Sequence, residues 1–254
     1  MSETDRLKKL ETAVHDIQQR YGSLALMQGK PASFGTEGAI PHIPTGFPTL
    51  DEALGIGGLA RGRVSEILGP ATSGKTTLAL HFLAQAQAGG GLVGYIDCAH
   101  TLDPDYAHHC GVDLARLVIF NPHNPQEALA MTDVAASNDA LTALVFDAPH
   151  DLWNDTTPSL ASAMDHWMAP LHRAGTALVF LRAPVASMTS SLRSLAHYAS
   201  VRIYITRERW LRHYENIQGC EAQAEILKNR LAAAGRKAAI LLHFYGTESG
   251  NGRR

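Results

Sequence analysis

Gly69-Pro70-Ala71-Thr72-Ser73-Gly74-Lys75-Thr76 is a complete G-x-x-x-x-G-K-[ST] element, and its surroundings decide the fold. The apolar run VSEIL (64–68) precedes it and the helix-forming run LALHFLAQAQA (78–88) follows. Strand, glycine loop and helix in that order are what a phosphate cradle requires. Glycines let the backbone curl so that several amide hydrogens converge on an anion, and the helix N-terminus adds partial positive charge. Lys75 then supplies the counter-charge for terminal phosphates, and the Thr76 hydroxyl is placed to ligate magnesium. Thr77 closes the set. A plain glycine-rich turn with an exposed lysine would give no reason for this flanking order.

Outward from the loop, short apolar runs recur: RVSEIL, LVGYID, LVIF, ALVFD, TALVFL and VRIYIT. Helical stretches separate them, which predicts buried parallel strands with crossover helices and an α/β class. Leu144, Val145 and Phe146 lead into Asp147, the pattern of a strand delivering a carboxylate to a metal's outer shell. Asn124, Pro125 and Glu127 supply an N-cap oxygen, a proline at the first helical position and a reciprocal acid. Thr157 and Pro158 repeat the device before a helix whose apolar face is Leu160, Met164, Trp167 and Leu171; Pro170 should kink it and Gly175 end it. Near the start, Leu7, Leu10, Val14, Ile17 and Tyr21 are spaced as one face of an amphipathic helix that needs a partner surface. A Gly/Pro-rich connector, residues 29–46, follows.

With 254 residues, 45% hydrophobic and 18% charged, the chain has the composition of one main globular domain. It has no apolar run of membrane-spanning length, and its opening is charged where a signal peptide would be apolar, so a cytoplasmic location is expected. The three cysteines suit a reducing compartment. A net charge of -2 argues against gripping nucleic acid over the whole surface, so any such contact is local or weak. Cys98, His100, His108, His109 and Cys110 crowd one segment without a C-x-x-C pair and read as ordinary core and surface residues.

Residues 10–246 resemble the bacterial RecA family. The resemblance is carried in order by PTGFPTLDEALGIGGL (44–59), GPATSGKTTL (69–78), YIDCAHTLDPDYA (95–107), HYASVRIYITR (197–207), LKNRLA (227–232) and FYG (244–246). It implies a RecA-type P-loop core, a mostly parallel twisted sheet with helices on both faces, with ATP and Mg2+ as cofactors. Asp103 and Tyr106 would flank the base, Tyr245 would lie near base and ribose, and Lys228 and Arg230 would reach a neighbouring subunit's nucleotide in trans. QQRYGSLALMQG (18–29) is similar to the family's subunit-docking helix and strand, which sets a docking segment at 1–36, a core at 37–248 and a frayed tail at 249–254, without the family's C-terminal domain.

Departures matter as much. Ala99 stands where the family carries its water-activating glutamate, and Ala183 or a near neighbour stands where the family has a γ-phosphate-sensing glutamine. Loss of such groups typically costs about 10²- to 10⁴-fold in rate, which predicts ATP binding with slow or absent hydrolysis. The segment HDLWNDTTP (150–158) replaces a first DNA-facing loop with acidic sequence, with Trp153 better read as packing than as base stacking; the second, APVASMTSSLRS (183–194), keeps only Arg193 as a cation. The resemblance therefore implies an ATP-binding protein of DNA recombination, repair or damage response that assembles with itself, with single-stranded DNA a weak partner. The alternative is an accessory paralogue, similar to ImuA-type proteins, that docks on RecA or a translesion DNA polymerase.

Overall fold

The computed structural model describes residues 3–21, 39–148, 160–184, 190–213 and 216–244. Trp153, the Thr157-Pro158 cap, Tyr245 and the 249–254 tail lie outside them. Two compact units, Met1–Ala39 and Ile40–Arg254, divide the chain. The first contains helix α1 (Glu3–Tyr21), which carries the expected apolar spacing. No helix among the described residues is long and apolar enough to cross a membrane.

In the second unit a short antiparallel ribbon, β1 (His42–Ile43) with β2 (Leu59–Ala60), brackets helix α2 (Pro48–Leu54). Then come β3 (Val64–Leu68), α3 (Lys75–Ala88), β4 (Leu92–Asp97), α4 (Pro104–His109), β5 (Leu117–Phe120), α5 (Pro125–Ser137), β6 (Leu141–Asp147), α6 (Leu160–Ala174), β7 (Ala177–Arg182) and α7 (Ser190–Tyr198). Three strands close the order: β8 (Val201–His213), β9 (Asn216–Asn229) and β10 (Lys237–His243). The described residues form an eight-stranded sheet in the order β10-β9-β8-β3-β7-β6-β4-β5. Strands from β8 to β5 are parallel, and β8, β9 and β10 form an antiparallel meander.

Alternate residues of each central strand enter opposite cores, which is why these strands read as unbroken apolar runs. Val145 and Val179 face a core with Leu78, Phe82 and Leu83 of α3, whereas Leu144, Phe146, Leu178 and Phe180 face one with Met164, Trp167 and Leu171 of α6. Helix α6 buries the four residues marked in the sequence and continues through Pro170, and Gly175 follows it in the left-handed region at φ 68°. The start of α5 is a variant of the capping box: the Glu127 amide donates to Asn124 Oδ1 (2.9 Å), and the Glu127 carboxylate accepts from the amide of His123, the residue before the N-cap (2.9 Å).

Three expectations change. LVIF is not a buried strand: as the sheet's edge it leaves Val118 and Ile119 exposed. VRIYIT is only the first half of a strand that runs on to His213. Of the segment read as a second loop, residues 190–194 belong to helix α7, Arg193 among them.

Candidate nucleotide site

In parallel α/β sheets the open ends of the strands make the site. Here the ends of β3, β4 and β6, with the middle of β8, bring together residues 69–76, Asp97, Asp147 and Arg207. The loop's shape depends on missing side chains. A Cβ on Gly69 would lie 2.4 Å from the Ile205 carbonyl oxygen and 2.5 Å from Ser73 Oγ. Gly74 sits at φ 95°, and its Cβ would meet Leu242 Cδ1 at 2.0 Å. Helix α3 starts at Lys75, so the amides of its first turn have no partner within the helix. Ser73 Oγ is the buried side-chain polar atom left without a partner among the described residues. A tight cradle with an orphaned hydroxyl and free helix-start amides suits a phosphate group.

Lys75 folds over this cradle, its Nζ donating to the carbonyls of Gly69 and Pro70 at 2.8 Å each. Burial pulls its pKa down, and the Asp147 carboxylate partly offsets that. Asp147, in register with Asp97 across β4 and β6, accepts a 2.6 Å hydrogen bond from the hydroxyl of Tyr95, a residue missed by the sequence reading. Burial raises the Asp147 pKa; the Tyr95 hydrogen bond and Lys75 oppose it, and Asp97 adds to it. Asp97 itself receives the amides of Thr101 (3.1 Å) and Leu102 (2.7 Å), which pins the turn containing Ala99 and places His100 at φ 53°. Among the described residues no group of three His, Cys, Asp or Glu side chains gathers to hold a metal unaided. The hard oxygens of Thr76 and Asp147 fit a magnesium ion that arrives with phosphates.

Two clefts adjoin the loop. One, of about 310 Å³, is lined by residues 72–77, Trp210 and Phe244; the other, of about 370 Å³, by Thr76, Thr101, Leu102, Asp103, Asp105, Tyr106, His109 and Phe244. Thr76 and Phe244 belong to both, so the clefts form one path from the loop to α4. Asp103 does line it, yet its Oδ1 is engaged as the N-cap of α4, accepting from the amides of Asp105 (2.9 Å) and Tyr106 (3.3 Å). The Tyr106 hydroxyl shares a 2.7 Å hydrogen bond with Thr77 Oγ1 and is pushed up to about 12, mainly by burial.

Lys228 and Arg230 stand apart, at the opposite end of the sheet from the loop: Lys228 pairs with Arg202 and the Arg230 amide donates to the Ser200 carbonyl. Lys228 Nζ donates to the carbonyls of Ala196 (2.7 Å) and His197 (3.0 Å), and Arg230 Nη2 to that of His197 (2.8 Å), where they cap the last turn of α7. Ala183 follows β7, and its carbonyl accepts from Arg182 Nη1 at 3.1 Å. Arg182 and Arg202 both pair with the fully buried Glu66 on β3, a triad the sequence reading did not find. Charges inside strand runs look like solvated edges until the strand order is known.

The RecA N-terminal domain family matches residues 8–157. Protein RecA of Mycobacterium tuberculosis is 37% identical over 258 residues, covering 92% of this chain and 32% of that protein. Protein RecA of Streptomyces ambofaciens is 35% identical over 261 residues, covering 94% and 69%. For that of Cutibacterium acnes the figures are 35% over 258 residues, 92% and 73%. The chain thus spans about a third of the length of the mycobacterial relatives. A family match over more than half the chain, joined to that identity with most of the Streptomyces and Cutibacterium proteins, means that the chain belongs to the RecA family.

Proposed function

We propose that this chain binds Mg-ATP at residues 69–76 and acts in DNA recombination, repair or damage response through nucleotide-dependent self-assembly, with slow or absent hydrolysis. The observation that carries the reading is the convergence at one sheet end of the glycine cradle, Lys75 and the carboxylate of Asp147. In the bound state the amides of residues 71–76 would hold the phosphates and Lys75 would leave the Gly69 and Pro70 carbonyls for them. Thr76 and Asp147 would hold magnesium, which would supply Lewis-acid stabilisation of phosphate charge. The base would extend along the second cleft between Tyr106 and Phe244, with Asp103 at its rim.

Assembly rests on Lys228 and Arg230. Both lie too far around the sheet to serve their own loop, and a neighbour's nucleotide offers them a place. Nucleotide bridging two copies would couple binding to association, and by linkage association would tighten binding by the same factor. Slow hydrolysis follows from Ala99, which stands where the family resemblance places the water-activating glutamate, in a turn pinned by Asp97. Single-stranded DNA is a weak partner in this reading, and the protein acts by assembling with itself in the cytoplasm.

Light scattering separates these elements. Mg-ATP should increase the mass-average size of the purified chain, and Lys228→Ala with Arg230→Ala should prevent the increase while leaving nucleotide affinity for the single subunit intact. No growth in size with Mg-ATP would contradict the assembly part of the reading. Ala99→Glu should raise ATP turnover from its low basal value.

A further inference from the structure

Strand β8 passes directly under the phosphate loop. Its Ile205 carbonyl closes against Gly69, Arg207 reaches Thr72, and Trp210 lines the cleft beside residues 72–77. Arg207 and Trp210 are three apart, and in a regular strand such residues point to opposite faces. Here the pairing runs Arg207 with Ala222 and then Arg209 with Glu221, so one extra residue, Glu208, is inserted in β8. This bulge reverses the alternation and returns Trp210, opposite Cys220, to the face that carries Arg207. The guanidinium lies over the indole at 3.8 Å, and the indole meets Phe244 edge-on at 5.9 Å.

Arg207 Nη1 donates to both the carbonyl (2.9 Å) and the Oγ1 (2.6 Å) of Thr72. Thr72 needs holding, because it sits at φ 57°. A β-branched residue rarely adopts the left-handed region, and does so when its surroundings over-determine it. That conformation turns the chain between Pro70 and Gly74, so it sets the curvature of the cradle. The donors and the strain meet on one residue.

We infer that Arg207, seated on Trp210, is a positioning residue that holds Thr72 in its left-handed conformation and so keeps the loop shaped for the phosphates of a nucleotide. The inference rests on the nucleotide reading of residues 69–76. Arg207 acts on the ligand through the loop and leaves discrimination between di- and triphosphate to other groups.

The test is a calorimetric cycle on the full chain with Mg-ADP, Mg-ATP and inorganic pyrophosphate. Arg207→Ala should weaken all three by a similar factor, roughly tenfold, the order of one strained residue released. Arg207→Lys keeps a cation over Trp210 and one donor to Thr72, and should lose less; it also serves if the alanine variant folds poorly. Glycine adopts a positive φ without penalty. In a Thr72→Gly background, therefore, Arg207→Ala should change affinity by less than about twofold. Equal losses in the original and the Thr72→Gly backgrounds, or a loss confined to Mg-ATP, would overturn the inference in favour of direct phosphate contact. Unchanged affinity in Arg207→Ala would overturn it while leaving the nucleotide site standing. Failure of the unsubstituted chain to bind any of the three would remove both.

Discussion

At the scale of single residues, the site is built from groups whose neighbours leave them little freedom. Gly69 has no room for a methyl group, because the obstacle is the backbone oxygen of Ile205 rather than a movable side chain. Gly69→Ala should therefore shift β8 against the loop, lowering stability in urea by about 1–3 kcal/mol and weakening nucleotide binding as well. Cys98 reports on the carboxylates. Burial, then Asp147 and Asp97, push its thiol up to about 12. Thiolate is the reactive form, so at pH 8.5 alkylation followed by peptide mass spectrometry should run about a hundredfold or more below an ordinary thiol, rising with pH toward that value. Asp147→Asn removes one of the charges that oppose ionisation and should speed Cys98 labelling at fixed pH; an unchanged rate would show that Asp147 does not face this pocket as an anion.

At the scale of elements, the parallel strands and the capped helix α5 were legible because one local signal fixes each: an apolar run of strand length, or an Asn-Pro-x-Glu start. The loop was legible for the same reason, with all its parts contiguous. What escaped were features set by pairing. The bulge at Glu208 depends on the register of β8 against β9, so RERW gives no sign that Arg207 and Trp210 share a face. Edge position made β5 exposed despite its apolar residues. Glu66, Arg182 and Arg202 come together only because β7, β3 and β8 are neighbours in the sheet. Glu66→Ala should leave the buried Arg182 guanidinium without its counter-charge and cost about 3–5 kcal/mol by denaturant titration. A cost under about 1 kcal/mol would mean that water reaches the triad.

At the scale of the whole molecule, one end of the sheet gathers the phosphate loop, the carboxylates and the aromatic wall, while Lys228 and Arg230 occupy the other. That separation makes sense if copies stack so that one subunit's cations meet the next one's nucleotide. It also makes nucleotide binding the step from which everything else follows. Isothermal titration of the purified chain with Mg-ATP tests it most directly: the account predicts saturable heat with one nucleotide per chain, abolished by Lys75→Ala in a variant that melts normally. Absence of heat, or a Lys75→Ala isotherm superimposable on the original, would contradict it.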